Sequence, residues 1–122
     1  MIELRPLRQF VAVAEELHFG RAAQRLAMTQ PPLTQAVQAL ERRLGVALFE
    51  RTRRSVALTP AGRALLDEAR RLLRAAQALP AAVRDAAAGR TGRLRLAFVS
   101  SIAYGALPSW LRAFRERHPD VQ

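Results

Sequence analysis

The stretch Gln30 to Leu44, QPPLTQAVQALERRL, limits the fold of this chain more than any other. Thr29 stands where a helix N-cap is expected, its hydroxyl placed to accept from a first-turn N–H. Pro31 and Pro32 fall in that first turn, where a missing N–H removes no helical bond, and Gly45 supplies a C-terminal stop. At about 100° per residue, Leu33, Val37, Leu40 and Leu44 line one side of the cylinder. Pro31, Thr34, Gln35, Gln38 and Arg42 line the other, a face of amide, hydroxyl and guanidinium groups without a carboxylate. Those are the groups that read base edges in a major groove. Alone, such a helix reads first as an ordinary solvated surface helix; its neighbours change that reading.

Before it, Leu4 to Leu17 reads as a helix with Leu7, Phe10, Val11, Ala14 and Leu17 as its apolar stripe. His18 to Gly20 is a break, with Gly20 the expected N-cap of a short helix, Arg21 to Ala27, and a tight turn follows at Met28 and Thr29. Two short helices joined this closely, the second longer and polar outside, have the form of a helix-turn-helix. After Gly45, the runs Val46 to Glu50 and Val56 to Leu58 read as strands of a hairpin with Arg51 to Ser55 between them. This is a basic wing, or else a solvated loop that happens to be basic. Arg53 and Arg54 are its candidates for phosphate or minor-groove contact.

Thr59 and Pro60 start a further helix that runs to Ala88 and stops at Gly89. Leu65, Ala69, Leu72, Ala76, Leu79 and Val83 recur at alternating spacings of four and three, a heptad seam. The reading is a dimerisation helix rather than one lying on its own domain, with a kink expected at Pro80. Arg90 to Arg93 is a linker, Leu94 to Val99 a strand, Ser100 and Ser101 a turn. Ala103 to Arg117 is a helix with Leu107, Trp110, Leu111 and Phe114 inward. One strand and one helix cannot bury each other, so a larger α/β domain is expected to begin here and to be cut short at Gln122. The expected organisation is a mainly α chain: a DNA-binding domain over 1–58, a linker helix over 59–89, and an incomplete domain over 90–122.

The net charge of +10 comes from twenty arginines and no lysine, spread along the whole chain, and calls for a polyanionic partner. Without cysteine there are neither disulfides nor thiolate metal sites, which suits a reducing cytosol. No signal peptide or membrane-spanning run is read, and no metal or cofactor is expected. His18 and His118 lie far apart, and no nucleophile–base set or carboxylate pair points to an enzyme.

With these elements in place, the chain resembles the N-terminal part of a LysR-type transcriptional regulator. The resemblance is carried by Leu7-Arg8-Gln9-Phe10-Val11-Ala12-Val13-Ala14, Arg21-Ala22-Ala23, Thr29-Gln30-Pro31-Pro32-Leu33-Thr34, Leu40-Glu41, Leu44-Gly45, Leu48-Phe49-Glu50-Arg51 and Leu58-Thr59-Pro60-Ala61-Gly62. It implies a winged helix-turn-helix with a small β-hairpin wing, a long linker helix that makes a homodimer, and a periplasmic-binding-protein-like effector domain. It further implies homotetramers of the full-length protein on inverted repeats of double-stranded DNA. DNA contacts would come from Gln30, Pro31, Pro32, Thr34, Gln35 and Arg54, with Gln38 and Arg53 added from the helix face and wing. Many relatives carry Arg at the position of Gln35, and Arg favours guanine where Gln favours adenine. The last segment resembles the branch regulating aromatic-compound degradation, in which Ser100, Ser101 and Ile102 would line part of a site for a small carboxylate effector. Two other readings stand beside this one: a sequence-indifferent nucleoid protein binding through arginine alone, and a coiled-coil adaptor with an incidental helix-turn-helix.

Overall fold

The computed structural model describes residues 1–122 and divides into two compact units, Met1–Ala76 and Gln77–Gln122. In the first, α1 (Leu4–Glu16), α2 (Phe19–Arg25) and α3 (Gln30–Leu44) are followed by an antiparallel hairpin, β1 (Phe49–Arg51) and β2 (Val56–Leu58). The long helix α4 (Pro60–Ala87) starts in this unit and continues into the second.

The core that holds α3 in place is built largely from the stripes expected of it, with one correction in α1: Val13 is buried, whereas Leu17, the left-handed residue past the helix end, is 45% exposed. Leu7, Phe10 and Val13 of α1, Leu33, Val37 and Leu40 of α3, and Leu48 are each at most 2% exposed. Fully burying one such side chain contributes roughly 1.5–3 kcal/mol. Phe49 joins the hairpin to this core, its ring centroid 5.4 Å from Phe10 and 6.0 Å from Phe19. Ala22 and Ala23 are buried because α2 must pass close to its neighbours.

Several local expectations are corrected. Thr29 is extended and precedes α3, but its hydroxyl makes no capping bond. The reason lies in the sequence itself: a cap hydroxyl accepts from the second or third helical N–H, and here Pro31 and Pro32 occupy both places. The N-cap of α2 is His18, not Gly20, with Nδ1 accepting from the Arg21 N–H at 3.0 Å. The two helix ends read as Leu17 and Ala27 both turn left-handed, at φ 48° and 52°. There the Leu17 N–H bonds to Val13 and the Met28 N–H to Ala23, closing each helix without glycine.

The first strand begins later than expected, at Phe49. Glu41 reaches across from α3, and its Oε1 accepts from the N–H groups of Leu48 at 2.9 Å and Phe49 at 3.3 Å. Val46 and Ala47 stay outside the ladder. Thr59 caps α4 as expected, its hydroxyl accepting from the Gly62 N–H while donating to the Ala47 carbonyl. Helical geometry then continues through Pro80, and Gly89 ends it at φ 69°.

The heptad positions of α4 differ in their surroundings. Ala69 is fully buried in the first unit's core and Leu65 packs against it, so the helix does lie on its own domain over this part. Ala76 is half-buried, whereas Leu72, Leu79 and Val83 are exposed.

In the second unit β3 (Thr91–Gly92) pairs in parallel with β4 (Asp120–Val121), and the connection between them carries α5 (Ser100–Ala103) and α6 (Leu107–Arg117). The strand expected over Leu94 to Val99 is absent as a ladder. Only the Leu94 N–H finds a strand-like partner, the Gln122 carbonyl, because Asp120–Val121 is the one neighbouring segment that offers backbone groups. Ser100 and Ser101 open a helix instead of forming a turn, and the expected single helix is two. Pro108 explains the interruption: it lacks an N–H and crowds the carbonyl four residues back, so it is accommodated in the first turn of α6. Leu107, Leu111 and Phe114 are half-buried, but Trp110 is 64% exposed rather than inward.

Candidate nucleic-acid interface

With Leu33, Val37 and Leu40 buried, the register of α3 turns Gln30, Pro31, Pro32, Gln35 and Gln38 to solvent; Thr34 is half-buried at the edge of the same face. Gln35 at the centre of the face is exposed, and no acidic side chain interrupts it. The amides present paired donors and acceptors, the groups that bond adenine bidentately.

The wing turn is tied internally. The Thr52 N–H bonds to the Ser55 carbonyl at 2.9 Å, and Thr52 Oγ1 accepts from the N–H groups of Arg54 and Ser55. These bonds hold the backbone while the side chains of Arg53 and Arg54, both exposed, remain without an acidic partner. Gln30, Arg53 and Arg54 meet at one cleft of about 280 Å³, whose other walls include His18, Gly20 and Ser55. Thus the start of α3 and the tip of the hairpin, separated by more than twenty residues in sequence, face a common space.

Three supporting residues escape a reading by local pattern. Glu41 lies in the last turns of α3 and binds the wing base, not solvent. Arg51 is the inner arginine of the wing: its guanidinium reaches Glu41 Oε2 at 3.1 Å and lies 4.8 Å over the Phe19 ring. Gly20 gives the His18 ring room, since a Cβ there would lie 2.9 Å from His18 Cε1. The spacing of Glu41 and Arg51, ten residues across a turn, carries no helical or strand signal that would pair them.

Among groups of histidine, cysteine and carboxylate side chains, none is arranged to hold a metal ion. No helix is long and apolar enough to cross a membrane.

Comparison with known families matches residues 4–63 to the bacterial regulatory helix-turn-helix protein, lysR family, and residues 87–122 to the LysR substrate binding domain. The chain belongs to the LysR family. Among curated LysR-type relatives, the HTH-type transcriptional regulator IlvR of Caulobacter vibrioides is 50% identical over 121 residues, covering 99% of this chain and 41% of the relative. The chain therefore spans less than half the length of that protein. Full-length CbnR complexed with its target DNA superimposes with a TM-score of 0.88 at 44% identity, covering 99% of this chain and 42% of CbnR. The complex of the CbnR DNA-binding domain with DNA matches at a TM-score of 0.68 and 48% identity, covering 70% of this chain and 99% of that domain. The mainly α, winged helix-turn-helix architecture with its long following helix is thus that of LysR-type DNA-binding domains.

Proposed function

We propose that this chain carries the DNA-reading and linker portion of a sequence-specific transcriptional regulator that binds an inverted-repeat operator as a dimer. One observation supports it most: an acid-free helix face bearing Thr34, Gln35 and Gln38 begins at Gln30, and Gln30 lines one cleft with two unpaired wing arginines, Arg53 and Arg54. In this reading Gln30, Thr34, Gln35 and Gln38 contact base edges. Pro31 and Pro32 let the helix start approach the groove, and Arg53 and Arg54 hold phosphate or the minor groove. Exposed Leu72, Leu79 and Val83, with Ala76 between them, form the dimer seam on the long helix; Leu65 and Ala69 serve the domain core. Organisation follows as a reading domain over 1–58, a linker over 59–89 and the start of an effector domain over 90–122. Such a protein works in the cytoplasm at the nucleoid, catalyses no reaction, and forms tetramers when full length. Ser100, Ser101 and Ile102 are exposed on α5, and their part in a small-carboxylate site requires the remainder of that domain.

The test is selection of bound duplexes from a random pool, followed by titration of Thr34→Ala, Gln35→Ala and Arg54→Ala on the selected and a scrambled duplex. The two helix variants should each cut the preference by about 1–3 kcal/mol. Arg54→Ala should weaken both duplexes alike and lower the salt slope by about one. Equal enrichment of all sequences, with affinity collapsing as salt rises, would establish the sequence-indifferent nucleoid reading instead.

A further inference from the structure

Of the three arginines in the wing, Arg51 does not face the cleft that Arg53 and Arg54 share with Gln30. It is held between two groups from elsewhere in the fold. Its guanidinium pairs with Glu41 Oε2 of α3 at 3.1 Å, the side chains being 28% and 16% exposed, and its Cζ lies 4.8 Å from the centroid of Phe19, the first residue of α2. The other Glu41 oxygen accepts from the backbone of Leu48 and Phe49, where the wing departs. Glu41 therefore uses both oxygens on the wing and none on solvent-exposed cations of the reading face. Directly after Arg51, the Thr52 hydroxyl accepts the Arg54 N–H at 3.3 Å and the Ser55 N–H at 3.0 Å. A continuous set of bonded contacts thus runs from the reading helix through Glu41, Arg51 and Thr52 to the backbone of Arg54.

We propose that Glu41 and Arg51 are positioning residues for DNA recognition: the pair sets where Arg54 stands relative to the base-reading face of α3, and neither side chain touches DNA. The inference rests on the DNA-binding reading above and adds to it a division of labour within the wing. Charge supports the division. Arg51 is neutralised by Glu41 and shielded by an aromatic face, while Arg53 and Arg54 keep their full charge toward the cleft. A lysine at position 51 keeps the charge but has neither the fork to grip a carboxylate nor the plane to stack on Phe19.

A double-mutant cycle on the 122-residue chain tests this, read by fluorescence anisotropy. The probes are the duplex most enriched from a random pool by the unmodified protein and a scrambled duplex of the same composition. Glu41→Gln should weaken binding of the enriched duplex about tenfold when Arg54 is present. In an Arg54→Ala background it should weaken it by less than about twofold, because a positioned group that is gone cannot be mispositioned. Arg51→Lys should behave the same way and provides the cycle if Glu41→Gln lowers the unfolding midpoint too far to assay. The same fold-loss in both backgrounds would assign the pair a general structural role and overturn the proposal. If the unmodified protein fails to distinguish the two duplexes, it is the DNA-recognition reading that falls. A preference that persists alongside an additive cycle removes only the positioning role.

Discussion

Replacing Gly62 by alanine sets two effects of opposite sign against each other. Gly62 lies in the first turn of α4, and alanine in place of glycine within a helix ordinarily stabilises by about 1 kcal/mol. Here the added Cβ would overlap the Leu48 carbonyl oxygen and lie 2.9 Å from Leu58 Cδ2 and 3.1 Å from the Leu48 carbonyl carbon. That carbonyl cannot swing away freely, since it accepts the Thr59 N–H at 3.0 Å and its residue is bonded to Glu41 through the N–H. Overpacking against fixed atoms costs about 1–3 kcal/mol, and contact with backbone rather than a flexible side chain puts this site at the upper end. The clash wins, leaving a net loss of about 2 kcal/mol once the propensity gain is subtracted. In a unit the size of Met1–Ala76 that lowers Tm by roughly 10 °C. Thermal unfolding followed by circular dichroism at one fixed protein concentration measures it, concentration being held because self-association shifts the midpoint. Gly105→Ala is the control, since its Cβ would meet nothing nearer than 3.8 Å and should alter stability by only about 0.5 kcal/mol. A Gly62→Ala protein as stable as its parent would show that α4 can move off the hairpin, and would refute the close approach as a constraint.

Other perturbations bear on the remaining features. Leu72→Glu, at a side chain 53% exposed, should leave the helical spectrum unchanged while sedimentation shows monomer; a persisting dimer would remove the seam. His18→Ala should cost about 1 kcal/mol of stability through loss of the α2 cap, with His18→Asn recovering most of it in urea unfolding, since asparagine also caps. Ala27→Gly should hold or raise the urea midpoint despite glycine's flexibility, because the site has φ 52° and relieving that strain is worth about 1 kcal/mol. A clear loss there would mean the alanine methyl contributes packing that its exposure does not indicate.

What could be read from the chain alone follows the range of each interaction. The bounds of α3 were legible because prolines and a glycine punctuate both ends, and its buried stripe because Leu33, Val37 and Leu40 repeat with the helical period. The reading face was legible for the same reason, as the complement of that stripe. The start of α2 and of β1 were not, since each depends on a side chain acting at a distance: His18 folding onto Arg21, and Glu41 capturing Leu48 and Phe49. Left-handed residues at Leu17 and Ala27 carry no glycine to announce them. The heptad pattern of α4 reports that Leu65 and Ala69 are buried, but a period cannot say whose surface buries them. Leu94 to Val99 has the composition of a strand, yet a strand exists only where another offers its backbone.

The burial of Ala69 has a practical consequence for anyone dividing this molecule. The hairpin ends at Leu58, and a cut there looks clean on paper, but it would strip Leu65, Leu66, Ala69 and Leu73 from the apolar cluster they complete and open that cluster to water. The smallest self-sufficient helical unit must therefore carry its own root of the long helix, and whatever turns that root turns α3 with it.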